Sequence, residues 1–175
     1  LGVKNTMSEI HKSDLFRYKI LHKYGGIWSD LDIVYIKPVT ELIPTNFETI
    51  NFLCHYYIFN YFPVGLMFSK RKSPLYDYIF NKAISNYNEK DYQCMGCNLF
   101  SKLFILDLKI RYLQPIDNEI NTNVNNILLD DKFYLKYNWE CITELFIERP
   151  KNPDLSNTVG FHWYNGSPVT KNYLK

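Results

Sequence analysis

The residues best able to do chemistry crowd into one stretch, Ser13 to Ile33, which reads SDLFRYKILHKYGGIWSDLDI. Asp30 and Asp32 flank a single leucine. In an extended strand residues i and i+2 share a face, so the two carboxylates are expected to project together while Leu31 turns into the core. Such a pair suits a hard divalent cation: magnesium and manganese take oxygen ligands, and one or two protein carboxylates suffice when substrate phosphates supply the rest. The competing reading is an ordinary polar turn, and an isolated D-x-D does not decide between them. Upstream, Asp14 and Arg17 lie three apart and share a helical face. A guanidinium there can meet a phosphate or a ribose, and an acid can receive sugar hydroxyls. The bland alternative is a surface salt bridge worth about 0–1 kcal/mol. Convergence of all four polar residues on one ligand is the expectation.

These side chains need elements to position them. Phe16, Ile20 and Tyr24 recur at i+4, joined by Leu21, and predict a helix from about Ser8 to Tyr24 with Ser8 or Ser13 as its cap. Gly25 ends that helix through a left-handed conformation, and the second glycine, Gly26, allows a close backbone approach. Ile27 to Ile36 is rich in β-branched and aromatic residues and is stopped by Lys37-Pro38, which predicts one strand carrying the acid pair. Farther on, Asn51 to Tyr61 and Val64 to Ser69 read as strands in whole or part, and Pro74 to Asn86 reads as a helix with proline near its start. Asn98 to Leu106 reads as a shorter helix, Asn118 to Asn126 as a loop, Trp139 to Phe146 as a helix and Thr158 to Trp163 as a strand. Helices and strands alternate, so the fold class is α/β. No linker, repeat or low-complexity tract marks a boundary, and residues 1–175 read as a single domain.

Composition narrows the function classes. The chain is 46% hydrophobic and 22% charged, which is globular, and its 17% aromatic content serves a core or a surface that stacks on sugar-like ligands. Twenty basic against 18 acidic residues leave a net charge of +2, without the clustered excess that nucleic-acid binding requires. No run approaches the roughly 18 apolar residues of a membrane helix, and LGVKNTMSEI lacks the apolar centre of a signal peptide. A soluble chain is expected, with any membrane attachment supplied by a segment outside it. The leading Leu fits a processed protein or a piece of a longer one. Cys94-Met95-Gly96-Cys97 forms a C-x-x-C, but Cys54 and Cys141 stand alone, whereas structural zinc wants a second close-spaced pair. A redox motif would follow a strand, and Tyr87 to Gln93 is polar and loop-like. Chance spacing of semi-buried thiols is therefore the favoured reading over redox or zinc roles, and disulfides are unforced. Asn165-Gly166-Ser167 is the sole N-glycosylation sequon.

The pattern S-D-x-x-R-Y-x-x-L-x-x-Y-G-G-I-W-x-D-x-D is carried by Ser13, Asp14, Arg17, Tyr18, Leu21, Tyr24, Gly25, Gly26, Ile27, Trp28, Asp30 and Asp32. It resembles the sugar-binding DXD region of glycosyltransferase family 32, which includes yeast-type mannosyltransferases, α-1,4-galactosyltransferases, α-1,4-N-acetylglucosaminyltransferases and bacterial capsule enzymes. Val64 to Lys70 resembles the family's strand after the DXD, and Met95-Gly96-Cys97-Asn98-Leu99 falls where those enzymes have a glycine-centred acceptor-side segment. Phe133-Tyr134 followed by Trp139 resembles the F-Y-P-x-x-W-x-x-W stretch of the α-1,4-transferases, and Gly160-Phe161-His162-Trp163 resembles their closing A-V-H-x-W. The likeness runs from about residue 9 to residue 165. Two departures stand out: only a dozen residues precede Ser13, and Cys97 stands where the family often has proline.

The resemblance implies a GT-A-like nucleotide-diphospho-sugar transferase fold with its first βαβ unit lacking or truncated. It implies metal-dependent transfer of a sugar from a UDP- or GDP-sugar donor to a glycan, lipid-linked or protein-linked hydroxyl, with retention of configuration. Asp30 and Asp32 would be the catalytic pair, with Asp32 the direct ligand of Mn2+ or Mg2+, Asp30 holding the ribose or a metal-bound water, and His162 a third ligand or diphosphate contact. Asp14, Arg17, Tyr18, Gly25 and Gly26 would complete the donor site; Gly96, Asn98 and Trp163 would lie on the acceptor side. Residue by residue the bland readings stay open: His162 as a satisfied core histidine, Trp28 and Trp163 as core packing. The compartment is the Golgi lumen if an anchor lies outside the chain, and otherwise the cytoplasm. Two rival classes remain. A metal-dependent phosphodiesterase or nucleotidyltransferase would want further ligands, and no acid follows Asp32 before Glu41. A non-catalytic carbohydrate-binding or degenerate transferase domain would use the aromatics without needing Asp14, Arg17 and the acid pair together.

Overall fold

The computed structural model describes residues 6–42, 50–55, 62–103, 125–130, 139, 142–148, 155–156 and 158–173. In chain order the elements are α1 (Glu9–Tyr24), β1 (Gly26–Ser29), β2 (Ile33–Tyr35), β3 (Ile50–His55), β4 (Leu66–Ser69), α2 (Pro74–Ser85), α3 (Cys97–Ser101), β5 (Asn125–Asp130), β6 (Gly160–His162) and α4 (Pro168–Tyr173). The architecture is mixed α/β. A four-stranded sheet has the order β1-β4-β3-β5, and β2 pairs with β6 in a two-stranded sheet. The chain divides into two compact units, one formed by Leu1–Trp28 with Asn46–Leu129 and the other by Ser29–Thr45 with Asp130–Lys175.

The first unit is organised by α1. Ser8 caps its N-terminus, accepting from the His11 N–H, and Gly25 closes it at φ 70 with its N–H on the Leu21 carbonyl. The buried face is His11, Asp14, Leu15, Arg17, Tyr18 and Leu21, a helical i, i+3, i+4, i+7 stripe. The apolar repeat expected to face the core does not: Phe16 and Tyr24 are both 58% exposed. The helix can turn a polar stripe inward because most of its polar atoms find partners, Arg17 Nε being the buried exception in the stripe. Asp14 and Arg17 pair with each other, and the Tyr18 hydroxyl donates to the Met95 carbonyl at 2.6 Å, which removes the desolvation penalty of an unpaired polar atom. Against this face pack Val64, Met67, Leu75, Tyr76, Ile79, Phe80, Leu99 and Phe100. β4 is buried throughout and pairs antiparallel with β3 in the register Phe52↔Phe68, Leu53↔Met67. α2 starts at Pro74, whose missing N–H costs nothing in a first turn.

Gly25 is required by two constraints at once. Its φ of 70 is left-handed, and a Cβ there would meet the Arg71 nitrogen at 2.5 Å and the Ser69 carbonyl oxygen at 2.9 Å. The close approach expected of Gly26 therefore belongs to Gly25. Gly26 has open space around it and is needed only for its φ of 96.

The second unit holds β2 and β6, antiparallel with Ile33 opposite His162, Val34 opposite Phe161 and Tyr35 opposite Gly160. Gly160 lets the strands close, since a Cβ would lie 2.5 Å from the Val34 carbonyl oxygen. The ladder is extended by Ile36 and Lys37, whose N–H groups both donate to the Val159 carbonyl. Lys37 Nζ also donates to the Ser156 carbonyl. α4 is capped by Ser167, whose hydroxyl accepts from the Val169 N–H at 3.2 Å.

One expected strand is two. The stretch Ile27 to Ile36 breaks at Asp30-Leu31-Asp32, where Leu31 and Asp32 form a turn. Leu31 does not enter the core; it is fully exposed at 103%. The reason is topological: β1 and β2 belong to different sheets, so the chain must leave one ladder before joining the other. The expected helix at Trp139 to Phe146 is also shifted, with Trp139 in a turn and a π-helical turn at Glu144–Glu148. The expected strand Thr158 to Trp163 forms over Gly160–His162, and the shorter helix over Cys97–Ser101. Cys141 and most of the expected loop at 118–126 lie outside the described residues.

Candidate functional site

The acid pair sits on a tied turn rather than in a pleated strand, and the turn is held from both sides. The Ile33 N–H donates to the Asp30 carbonyl at 3.3 Å, and the Asp32 carbonyl accepts from the Trp163 N–H at 3.0 Å. The Ser29 hydroxyl also donates to the Asp30 carbonyl, and Tyr35 Oη donates to Ser29 Oγ at 2.8 Å. The pairing of Ile33 with His162 sets β6 beside the turn, and the two Asp32 carboxylate oxygens take separate donors. His162 Nε2 reaches Oδ1 at 2.8 Å and the Asn165 N–H reaches Oδ2 at 2.9 Å. Burial alone raises the Asp32 carboxyl, but the His162 hydrogen bond and charge and the Asn165 N–H outweigh it, so its pKa falls below the ordinary carboxylate value.

Asp30, Asp32 and His162 each offer a ligand atom, and these atoms lie within 4.8 Å of one another. All three side chains are half-buried. Two carboxylates and an imidazole form an oxygen-rich set of the kind that Mg2+ or Mn2+ accepts alongside water or phosphate oxygens. His162 Nε2 faces the Asp32 carboxylate, while the other ring nitrogen, Nδ1, is buried with no hydrogen-bond partner among the described residues. The imidazole is stacked on the Tyr164 ring, with centroids 4.0 Å apart and planes at 19°, and Trp139 meets that ring edge-on at 5.5 Å. Tyr164 holds a left-handed φ of 49. Neither Tyr164 nor the Asn165 N–H was signalled by residue type: one acts through ring geometry, the other through backbone.

A second group of candidate residues gathers in the first unit. Arg17 Nη2 lies 3.2 Å from Asp14 Oδ1, and both side chains are almost wholly buried. Arg17 Nη1 donates to the Val64 carbonyl at 2.7 Å, and its guanidinium lies 5.0 Å from the centre of the Trp28 ring. A surface salt bridge is therefore the wrong description of this pair; it is an internal one. Gly96 belongs to the same cluster, since a Cβ there would stand 3.2 Å from Asp14 Oδ2. Tyr18 is buried beside it, and burial first, then the Asp14 charge, raises its phenol pKa. Asn98 stays at the surface with its amide on the Asp91 carboxylate. Trp163 enters the DXD turn through its backbone and is held from the other side by the Thr170 hydroxyl on its carbonyl.

Cys94 and Cys97 are buried free thiols. Cys94 Sγ donates to the Asn88 carbonyl and lies 3.6 Å from His11 Nε2. Burial raises the Cys94 thiol, which suits an inert structural cysteine better than a nucleophile. Among the described residues no helix is long and apolar enough to cross a membrane.

Residues 3–48 match the family described as glycosyltransferase sugar-binding region containing DXD motif. No curated protein and no solved structure matches the chain. The matched segment contains Asp14, Arg17, Tyr18, Gly25, Gly26, Asp30 and Asp32, and stops short of Gly96, Asn98, His162 and Trp163. It supports a glycosyltransferase-like function with a sugar-binding role for this segment.

Proposed function

We propose that the chain is the catalytic domain of a metal-dependent glycosyltransferase with a GT-A-type fold, moving a sugar from a UDP- or GDP-sugar to a hydroxyl of a glycan, lipid-linked or protein-linked acceptor with retention of configuration. The observation that carries this reading is the gathering of His162, from β6, with Asp30 and Asp32, whose turn lies inside the segment matching a DXD sugar-binding region. Breaking a sugar–phosphate bond builds negative charge on the diphosphate, and a divalent cation there supplies Lewis-acid stabilisation of that charge. Asp32 and His162 would hold the ion, and Asp30 would hold it or the donor ribose. In the absence of an ion the Asn165 N–H and the His162 ring keep the Asp32 carboxylate ionised and aimed; on binding, the proton that His162 Nε2 shares with Asp32 would give way to the ion. Asp14, Arg17 and Tyr18 are proposed to shape the donor site, and Gly96, Asn98 and Trp163 the acceptor side.

The test is incubation of the protein with a panel of nucleotide sugars and manganese, with release of nucleotide diphosphate as readout. Slow donor hydrolysis or transfer with a UDP- or GDP-sugar is expected. Absence of any nucleotide binding in the presence of manganese would remove the transferase reading.

A further inference from the structure

The only Asn-Gly dipeptide in the chain is Asn165-Gly166, and it lies in the turn that supports Asp32. Its geometry is open to intramolecular attack. Asn165 and Gly166 are exposed, and a Cβ at Gly166 would meet nothing within 4 Å. The Asn165 carboxamide and the Gly166 N–H have no hydrogen-bond partner among the described residues. Asn81, Asn86 and Asn98 differ on both counts. Their amides are engaged by Asp77, Lys82 and Asp91, and each is followed by a residue with a bulky side chain.

We infer that Asn165 is a site of spontaneous deamidation that turns the support of the Asp32 carboxylate into isoaspartate. The Gly166 nitrogen, having given its proton to solvent base, bonds to Asn165 Cγ. The Cγ–Nδ2 bond breaks and ammonia leaves with a proton, giving a cyclic imide. Water then adds to either imide carbonyl, opening the ring to aspartate or isoaspartate; the net change is amide plus water to carboxylate plus ammonium, with no oxidation. The isoaspartate route inserts a methylene into the backbone between Asn165 and Gly166. That insertion lies inside the turn closed by the Ser167 N–H on the Tyr164 carbonyl at 2.8 Å, and next to Ser167, the cap of α4. The turn cannot close with an extra backbone atom, so the Asn165 N–H loses its fixed aim at Asp32 Oδ2. Both products also add a carboxylate to the residue whose N–H holds Asp32 Oδ2.

The inference stands apart from the cation reading, because its test needs no metal. The full chain is aged in mildly alkaline buffer with chelator, and its peptides are followed by mass spectrometry with isoaspartate methyltransferase labelling. Asn165 is expected to convert while Asn81, Asn86 and Asn98 keep their amides. Gly166→Val is expected to slow conversion by about an order of magnitude, since a β-branched side chain obstructs the attacking nitrogen, and the open space at Gly166 accepts it. Aged wild type is expected to melt lower than fresh protein, with no such loss in aged Gly166→Val. Retention of the Asn165 amide for as long as that of Asn81 would overturn the inference. An unchanged melting temperature after conversion would overturn its structural consequence.

Discussion

Replacing Asp32 by asparagine, with chelator present, tests how the DXD turn is built. Asp32 accepts from His162 Nε2 at 2.8 Å and from the Asn165 N–H at 2.9 Å. Asparagine keeps the shape and one acceptor oxygen, so one of these donors keeps a neutral partner and the other faces an amide NH2. The loss is about one charge-assisted hydrogen bond, in the range of ~1.5–3 kcal/mol. The Asp32 side chain retains 21% exposure, so water offsets part of the loss and the lower end applies, about 1.5 kcal/mol. The pH dependence has a definite sign. The carboxyl of Asp32 is depressed in the folded chain, so its contribution is fully present above the unfolded carboxylate pKa of about 4 and is lost as pH falls through the lower folded value. Urea denaturation followed by circular dichroism should give a gap between wild type and Asp32→Asn that is full at neutral pH and narrows in acid below about pH 4. A gap that stays constant into strong acid, or a variant as stable as wild type at neutral pH, would refute the assignment of His162 and Asn165 as the groups that stabilise the ionised carboxylate.

Further expectations follow from the first unit and from the turn itself. Arg17→Met removes the charged partner of the buried Asp14 carboxylate and should cost about 3–5 kcal/mol, measured as a lowered midpoint in urea; a loss within the surface salt-bridge range would contradict an internal pair. Gly25→Ala adds a Cβ against the Arg71 nitrogen at a left-handed φ and should cost at least about 1–2 kcal/mol, read from thermal unfolding. Leu31→Ser changes a fully exposed tip and should move stability by no more than about 0.5 kcal/mol; a large loss would restore Leu31 to a core.

Much of the local structure was legible because it rests on local chemistry. Ser8, Gly25 and Pro74 mark helix ends through capping, left-handed φ and a missing N–H, and those signals act within a few residues of chain. What failed needed tertiary information. Phe16, Ile20 and Tyr24 form a clean apolar repeat, yet α1 buries Asp14, Arg17 and Tyr18 because partners distant in sequence, Val64 and Met95, satisfy them. The β-branched run from Ile27 to Ile36 carries the composition of one strand, and only the assignment of its halves to different sheets breaks it at Asp30. For the candidate site, the residue types of Asp30, Asp32 and His162 were readable, while their spacing argument was not: the carboxylates are placed by a turn and by β6, not by the pleat. The Asn165 N–H and the Tyr164 ring could not be read at all, since backbone donors and stacking geometry leave no mark in a residue alphabet.

The most direct measurement of the central claim is manganese binding to the metal-stripped protein, read by calorimetry and by the thermal stabilisation it brings. At a hundredfold excess over its dissociation constant the ion should stabilise wild type by about 2.7 kcal/mol. The combined Asp30→Asn, Asp32→Asn and His162→Ala variant should neither bind nor be stabilised; manganese binding to that variant as tightly as to wild type would contradict a cation site at the DXD turn.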